Sequence, residues 1–189
     1  MSIRIKFIVL CVMLISLYVF ASENMDLVLL KSINGTDEPW FDVMKPVIST
    51  DYFAGIVGIS PFFLNKEQTI LSFGLTLGEV ELFKLLFHRS RPFQTYNWIV
   101  KRADASGYSM PSGHAAMAFE AAYIWSEYFP QFSIAFYSLA TYIAISRVYY
   151  GVHYPSDVIF GAILGYLNSK IVSQNTRLKT LSFGFSYSF

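Results

Sequence analysis

The chain has 189 residues, of which 54% are hydrophobic, 18% aromatic and only 14% charged, and its formal net charge is +1. One domain is expected at this length, and near-neutrality excludes the electrostatic pull that nucleic acid would need. A single cysteine, Cys11, excludes an intrachain disulfide framework.

Arg4 and Lys6, the apolar run Phe7–Phe20 and then Ala21-Ser22-Glu23 have the order of a secretory signal. Residues 1–22 therefore read as a signal peptide or an uncleaved signal anchor. Residues 23–50 follow as a more polar amphipathic segment, expected on the exported side, with a turn at Asn34-Gly35 and Trp40 suited to an interface. Apolar segments then occupy 52–64, 69–87, 115–129, 132–146 and 158–172, separated by short polar or proline-containing breaks and one longer loop, 93–110. This pattern predicts an all-α, up-and-down, membrane-embedded bundle of six helices, counting the first segment. Residues 51–175 form its helical core. The segment 52–64 falls short of the roughly 20 residues a span needs, and Pro61 interrupts it, so a half-embedded or water-soluble bundle stays open.

With Arg4 and Lys6 inside, six spans place Lys66, Lys170, Arg177 and Lys179 inside as well, and put the 93–110 loop and the 147–155 stretch outside. The expectation is a multi-pass bacterial inner-membrane protein whose reactive end faces the periplasm. The tail, 176–189, ends in residues that alternate apolar and small polar with period two. It is expected to be a peripheral strand or a flexible tail.

Three runs carry the chemistry. Lys84 and Arg91 are seven residues apart, two helical turns, and so share a face of the helix that Thr69 begins and Pro92 ends. Taken alone they fit either cations snorkelling at a membrane surface or an anion site. In Pro111-Ser112-Gly113-His114, Ser112 suits a helix N-cap, Gly113 permits close approach to a backbone N–H, and His114 falls in the first turn, where anions are favoured. The ordinary alternative is a turn before a helix with a surface histidine. In the third run, Pro155 suits the first position of the last helix and Asp157 the third, from which a carboxylate folds back before the cap. There it can accept a proton from Nδ1 of His153 and leave Nε2 with its lone pair, or simply complement the helix dipole. Arg147 precedes His153 by six residues and can return to the same point. Each run is weak alone, but three cations, two histidines and a carboxylate at one end of an apolar bundle suit phosphate binding and transfer. Glu79, Glu81 and Glu120 lie below the motifs and fit either a layer under Lys84 or a polar seam between helices. His88 and Arg89 read as loop or headgroup contacts.

Together these residues resemble the tripartite signature of the type 2 phosphatidic acid phosphatase family: a lysine seven before Arg-Pro, then Pro-Ser-Gly-His, then Ser-Arg followed by His and Asp. The match covers Lys84, Arg91-Pro92, Pro111–His114, Ser146-Arg147, His153 and Asp157. The resemblance implies that His153 is the nucleophile, forming a phosphohistidine, that Asp157 orients it, and that His114 is the acid and then the base. It implies that Lys84, Arg91, Ser112, Gly113 and Arg147 hold the phosphate oxygens. No metal or other cofactor is implied. The expected substrate is a phosphate ester or diphosphate of a membrane lipid, with a soluble periplasmic acid phosphatase or a non-catalytic phosphate-binding protein as alternatives.

Overall fold

The computed structural model describes residues 23–48 and 50–186, with side chains from 25–48, 50 and 53–176. The expected signal segment, 1–22, and the last three residues of the tail lie outside the described residues. Seven α-helices run in chain order: α1 Glu23–Asn34, α2 Pro39–Ile48, α3 Asp51–Ile59, α4 Lys66–Phe87, α5 Gly113–Tyr128, α6 Ser133–Tyr149 and α7 Pro155–Ser186. A single helical turn, Pro92–Thr95, and two 3₁₀ turns, Ser60–Phe63 and Pro130–Phe132, complete the elements.

The all-helical expectation holds, and five of the apolar segments become α3 to α7. Two differences stand out. The amphipathic 23–50 segment is two helices, so the described residues hold seven helices where five were expected, the sixth expected one falling in 1–22. The tail is not a strand: α7 continues through Ser186, because a helix already formed and packed along its first turns propagates at one hydrogen bond per added residue. No helix of the described residues is long and apolar enough to cross a membrane. Lys66, Glu67, Glu79, Glu81 and Lys84 interrupt α4, and α5 and α6 have 16 and 17 residues.

Helix starts follow from local chemistry. Asn65 accepts the Gln68 N–H at 2.9 Å, Thr50 accepts the Phe53 N–H at 3.2 Å, and Ser112 sits as expected at the N-cap of α5. α5 is the central element. Its alanines are buried on several faces, and it packs most extensively on α7 and α6. Glycines set how near α7 can come. A Cβ at Gly161 would lie 2.4 Å from the Ser112 carbonyl oxygen, and one at Gly165 would lie 1.9 Å from that of Ala116. Backbone therefore rests on backbone, which fixes the start of α5 against the start of α7.

A polar seam also joins α4, α5 and α7. Ser72 donates to Glu120 at 2.9 Å, Asn168 to Glu79 at 2.9 Å, and Gln68 and Ser173 to Glu127 at 2.8 and 2.7 Å. Glu79 and Glu120 thus belong to the seam. Only Glu81 pairs with Lys84, at 2.7 Å.

Candidate active site

At the end of the bundle where α4 and α6 finish and α5 and α7 begin, a cavity of about 650 Å³ opens. Lys84, Arg91, Gly113, His114, Arg147 and His153 line it. The structure therefore brings six of the eight sequence-predicted site residues to one surface. The other two, Ser112 and Asp157, are fully buried and lie behind it. Ser112 accepts the Ala115 N–H through its hydroxyl, and its own N–H donates to the Asp157 carbonyl at 3.0 Å, which ties the second motif to the third.

His153 sits in the loop between α6 and α7, entered through Gly151, whose φ of +71° suits glycine. Its Nε2 is 3.2 Å from Arg91 Nη1. A guanidinium only donates, so Nε2 is the acceptor there and carries the lone pair. The ring proton is then on Nδ1, which faces Asp157 Oδ2 at 3.5 Å, an ion-pair distance rather than a short hydrogen bond. Asp157 occupies the third position of α7 and accepts the Tyr154 N–H at 2.9 Å through the same oxygen, the fold-back anticipated from its place in the helix. Burial, with Arg91 and Arg147 nearby, pushes the His153 pKa down to about 4 against the opposing pull of Asp157. Asp157 is itself held below the usual carboxylate range: burial would raise it, but His153, Arg89 and the Tyr154 amide outweigh that.

The cations are pinned from behind. Arg91 donates to the carbonyls of Ser106, Gly107 and Val152 at 2.7, 3.1 and 2.8 Å. Arg147, 1% exposed, donates to the Ile48 carbonyl at 3.2 Å. His114 Nε2 lies 2.9 Å from the Thr50 carbonyl and must donate there, so Nδ1 is its basic nitrogen. Burial, Arg147, His153 and Lys84 together push its pKa down to about 2. An anion arriving among those cations would raise it again.

The expected shared helical face of Lys84 and Arg91 is not formed. α4 ends at Phe87, His88 caps it at a left-handed φ of +48°, and Pro92 opens a new turn with Arg91 as its N-cap. Proline's fixed φ suits the first position of a helix, so it starts an element here instead of ending one. Lys84 and Arg91 still reach the same cavity, from two elements.

Sequence reasoning also misplaced Arg89. Its guanidinium donates to Asp157 Oδ1 and Ser156 Oγ, each at 2.6 Å, and to Asp26 Oδ2 at 2.7 Å, and it lies 3.8 Å over the Tyr154 ring. Burial would lower its pKa, but Asp157 and Asp26 raise it. The available signal was its position, one more cation beside a motif in a chain poor in charge. Asp26 and the Ile48 and Thr50 carbonyls carried no sequence signal. His88, by contrast, is exposed and stacks edge-on to Tyr108, 4.6 Å between centroids.

The bundle thus presents two histidines, two buried arginines and a lysine to one cavity, a set of donors that suits a phosphate group. The family model described as PAP2 superfamily matches residues 68–180, and the chain belongs to that superfamily. It is 37% identical over 91 residues to a lipid A 1-phosphatase of Rhizobium johnstonii, a match covering 44% of this chain and 36% of that protein. It is 30% identical over 172 residues to the putative undecaprenyl-diphosphatase YbjG of Escherichia coli, covering 80% and 84%. Among solved structures, Aquifex aeolicus LpxE superposes with a TM-score of 0.68 at 28% identity, over 78% of this chain and 94% of that one. A transmembrane PAP2-type phosphatidylglycerolphosphate phosphatase of Bacillus subtilis superposes with a TM-score of 0.67 at 25% identity, over 91% and 95%.

Proposed function

We propose that this protein is a phosphatase that hydrolyses a phosphate ester or diphosphate of a membrane lipid through a phosphohistidine, with no metal in the reaction. The carrying observation is that His153 and His114 share one cavity with Lys84, Arg91 and Arg147. Nε2 of His153 attacks phosphorus, and the bond to the leaving oxygen breaks as His114 delivers a proton to that oxygen. Lys84, Arg91, Arg147 and the Gly113 N–H neutralise the three equatorial oxygens, and Ser112 supports that cradle from the N-cap of α5. Water then loses a proton to His114 and attacks phosphorus, the P–N bond breaks, and inorganic phosphate leaves with His153 restored. Asp157 stabilises the imidazolium-like charge on His153 in both halves.

A lipid substrate is supported by the apolar part of the cavity lining, where Val80, Leu77 and Phe73 step back along α4 from Lys84 and Ala54 of α3 joins them. An acyl or prenyl chain fits such a wall while its phosphate meets the cradle. Leu85, 61% exposed, continues this lining at the end of α4. Lipid A phosphates and undecaprenyl diphosphate are the first candidates, from the names of the relatives. The reading places the protein at the bacterial inner membrane, multi-pass, with the cavity toward the periplasm. The deciding experiment measures phosphate release from lipid A, undecaprenyl diphosphate, phosphatidylglycerol phosphate and a soluble aryl phosphate. Release from lipids is expected; binding of lipid phosphate without any release from the panel would sink the proposal.

A further inference from the structure

Asp26, in α1, lies far in sequence from every motif, yet it is 5% exposed and reaches Asp157 through Arg89. One carboxylate oxygen accepts the Ser156 N–H at 2.8 Å, an amide of the first turn of α7 that has no partner within the helix. The other accepts from Arg89 at 2.7 Å and from the Ser156 hydroxyl. Arg89 in turn grips Asp157 through Oδ1. Two carboxylates thus share one guanidinium, and the chain of contacts runs Asp26, Arg89, Asp157, His153.

We infer that Asp26 and Arg89 are positioning residues for the phosphotransfer step: they hold Asp157 by Oδ1, so that Oδ2 faces His153 Nδ1, and they set how much negative charge reaches that ring. The inference rests on the proposed phosphatase reading. Its physical content is a balance of charge. Arg89 fixes the orientation of Asp157, but a lone buried guanidinium at 2.6 Å would also draw off the charge that His153 needs. Asp26 takes up part of the guanidinium's charge and leaves Asp157 anionic toward the imidazole. A clamp that merely fastened α1 to α7 would need no such balance.

The two residues therefore act on His153 with opposite sign. In Asp26→Asn the shape is kept, Arg89 bears fully on Asp157, and the imidazolium of His153 is less well stabilised. In Arg89→Gln the neutral side chain releases Asp157, and its whole charge falls on His153. The other charged and titratable groups facing His153, which are Arg91, Arg147 and His114, are the same in both variants.

The test is the pH profile of kcat/KM, whose acid limb reports the nucleophile of the free enzyme, measured as lipid phosphate release by the full-length protein. The acid limb is expected to move to lower pH in Asp26→Asn and to higher pH in Arg89→Gln. In Asp26→Asn, kcat should fall about tenfold with KM unchanged, as when the outer partner of a reactive imidazole is lost. Acid limbs that stay at the wild-type position, or move the same way in both variants, overturn the inference even if melting temperatures drop. If Arg89→Gln does not fold, the near-isosteric Asp26→Asn decides alone by the direction of its limb. Wild-type phosphate release measured alongside separates this outcome from failure of the phosphatase reading itself.

Discussion

The two walls of the cavity are built on different terms. On one side Arg91, Arg147, His114 and His153 are nearly or wholly buried, and each is held by atoms from a distant part of the chain. On the other, Lys84 is 21% exposed and pairs with its helical neighbour Glu81, itself 59% exposed, above an apolar face. Charge held by backbone carbonyls relaxes little when an anion arrives, so in the proposed reaction the first wall is preorganised for the transition state. An exposed pair three residues apart on a helix is worth a few tenths of a kcal/mol, and the second wall can yield to substrates of different shape. In the proposed reaction the first wall supplies the rigid charge, and the second adds Lys84 together with the apolar lining that selects the substrate.

The sharpest way to break that contrast is His153→Ala, which should reduce turnover by on the order of 10⁶-fold, as loss of a covalent nucleophile does elsewhere. Radiolabelled phosphate should be trappable on the wild type as an acid-labile adduct and absent from the variant. Residual turnover near wild type would remove His153 from its role. Next, Arg91→Lys should cost about 10²-fold in kcat, because an ammonium cannot span Ser106, Gly107 and Val152 while facing His153. The comparison predicts that Lys84→Arg costs far less; equal losses would erase the distinction between the walls.

Gly165→Ala tests the scaffold beneath the first wall. A methyl 1.9 Å from the Ala116 carbonyl must push α7 off α5, which places the loss near the upper end of the ~1–3 kcal/mol typical of overpacking. A melting curve reads it, and an unchanged midpoint would show that the helices slide freely.

Acid should weaken the buried wall before the exposed one. His153 and His114 have pKa values pushed below their usual 6.5, so below about pH 6.5 the unfolded chain takes up protons that the folded chain refuses. Stability then falls with pH, at up to about 1.4 kcal/mol per unit for each histidine. Asp157 acts with the same sign, its stabilisation lost as pH drops through the carboxylate range. Melting midpoints between pH 7 and 5 should decline in the wild type and decline less in His114→Gln. The smallest effects belong to the open wall: Leu77→Asn should raise KM for lipids with kcat nearly constant, and Glu81→Gln should leave both close to wild type.

Much of this was legible in the sequence because it is local. Ser112 and Asp157 announce themselves as cap and fold-back residues by spacing alone, and apolar runs between polar breaks located α3 to α7. What was not legible depends on tertiary approach. Arg89 looks like any loop cation until α1 brings Asp26 to it. Acceptors such as the Thr50 and Ile48 carbonyls belong to backbone, which has no letter in a sequence. The ending of α4 at Phe87 was hidden because Pro92 can stop a helix or begin one, and only the left-handed cap at His88 selects between them.

The stretch matched to the superfamily begins at residue 68, yet Asp26, Ile48 and Thr50, which brace Arg89, Arg147 and His114, all precede it. The N-terminal helices thus serve as the buttress against which these reactive groups lean. Changes at Asp26 should register as altered catalysis even though it does not line the cavity.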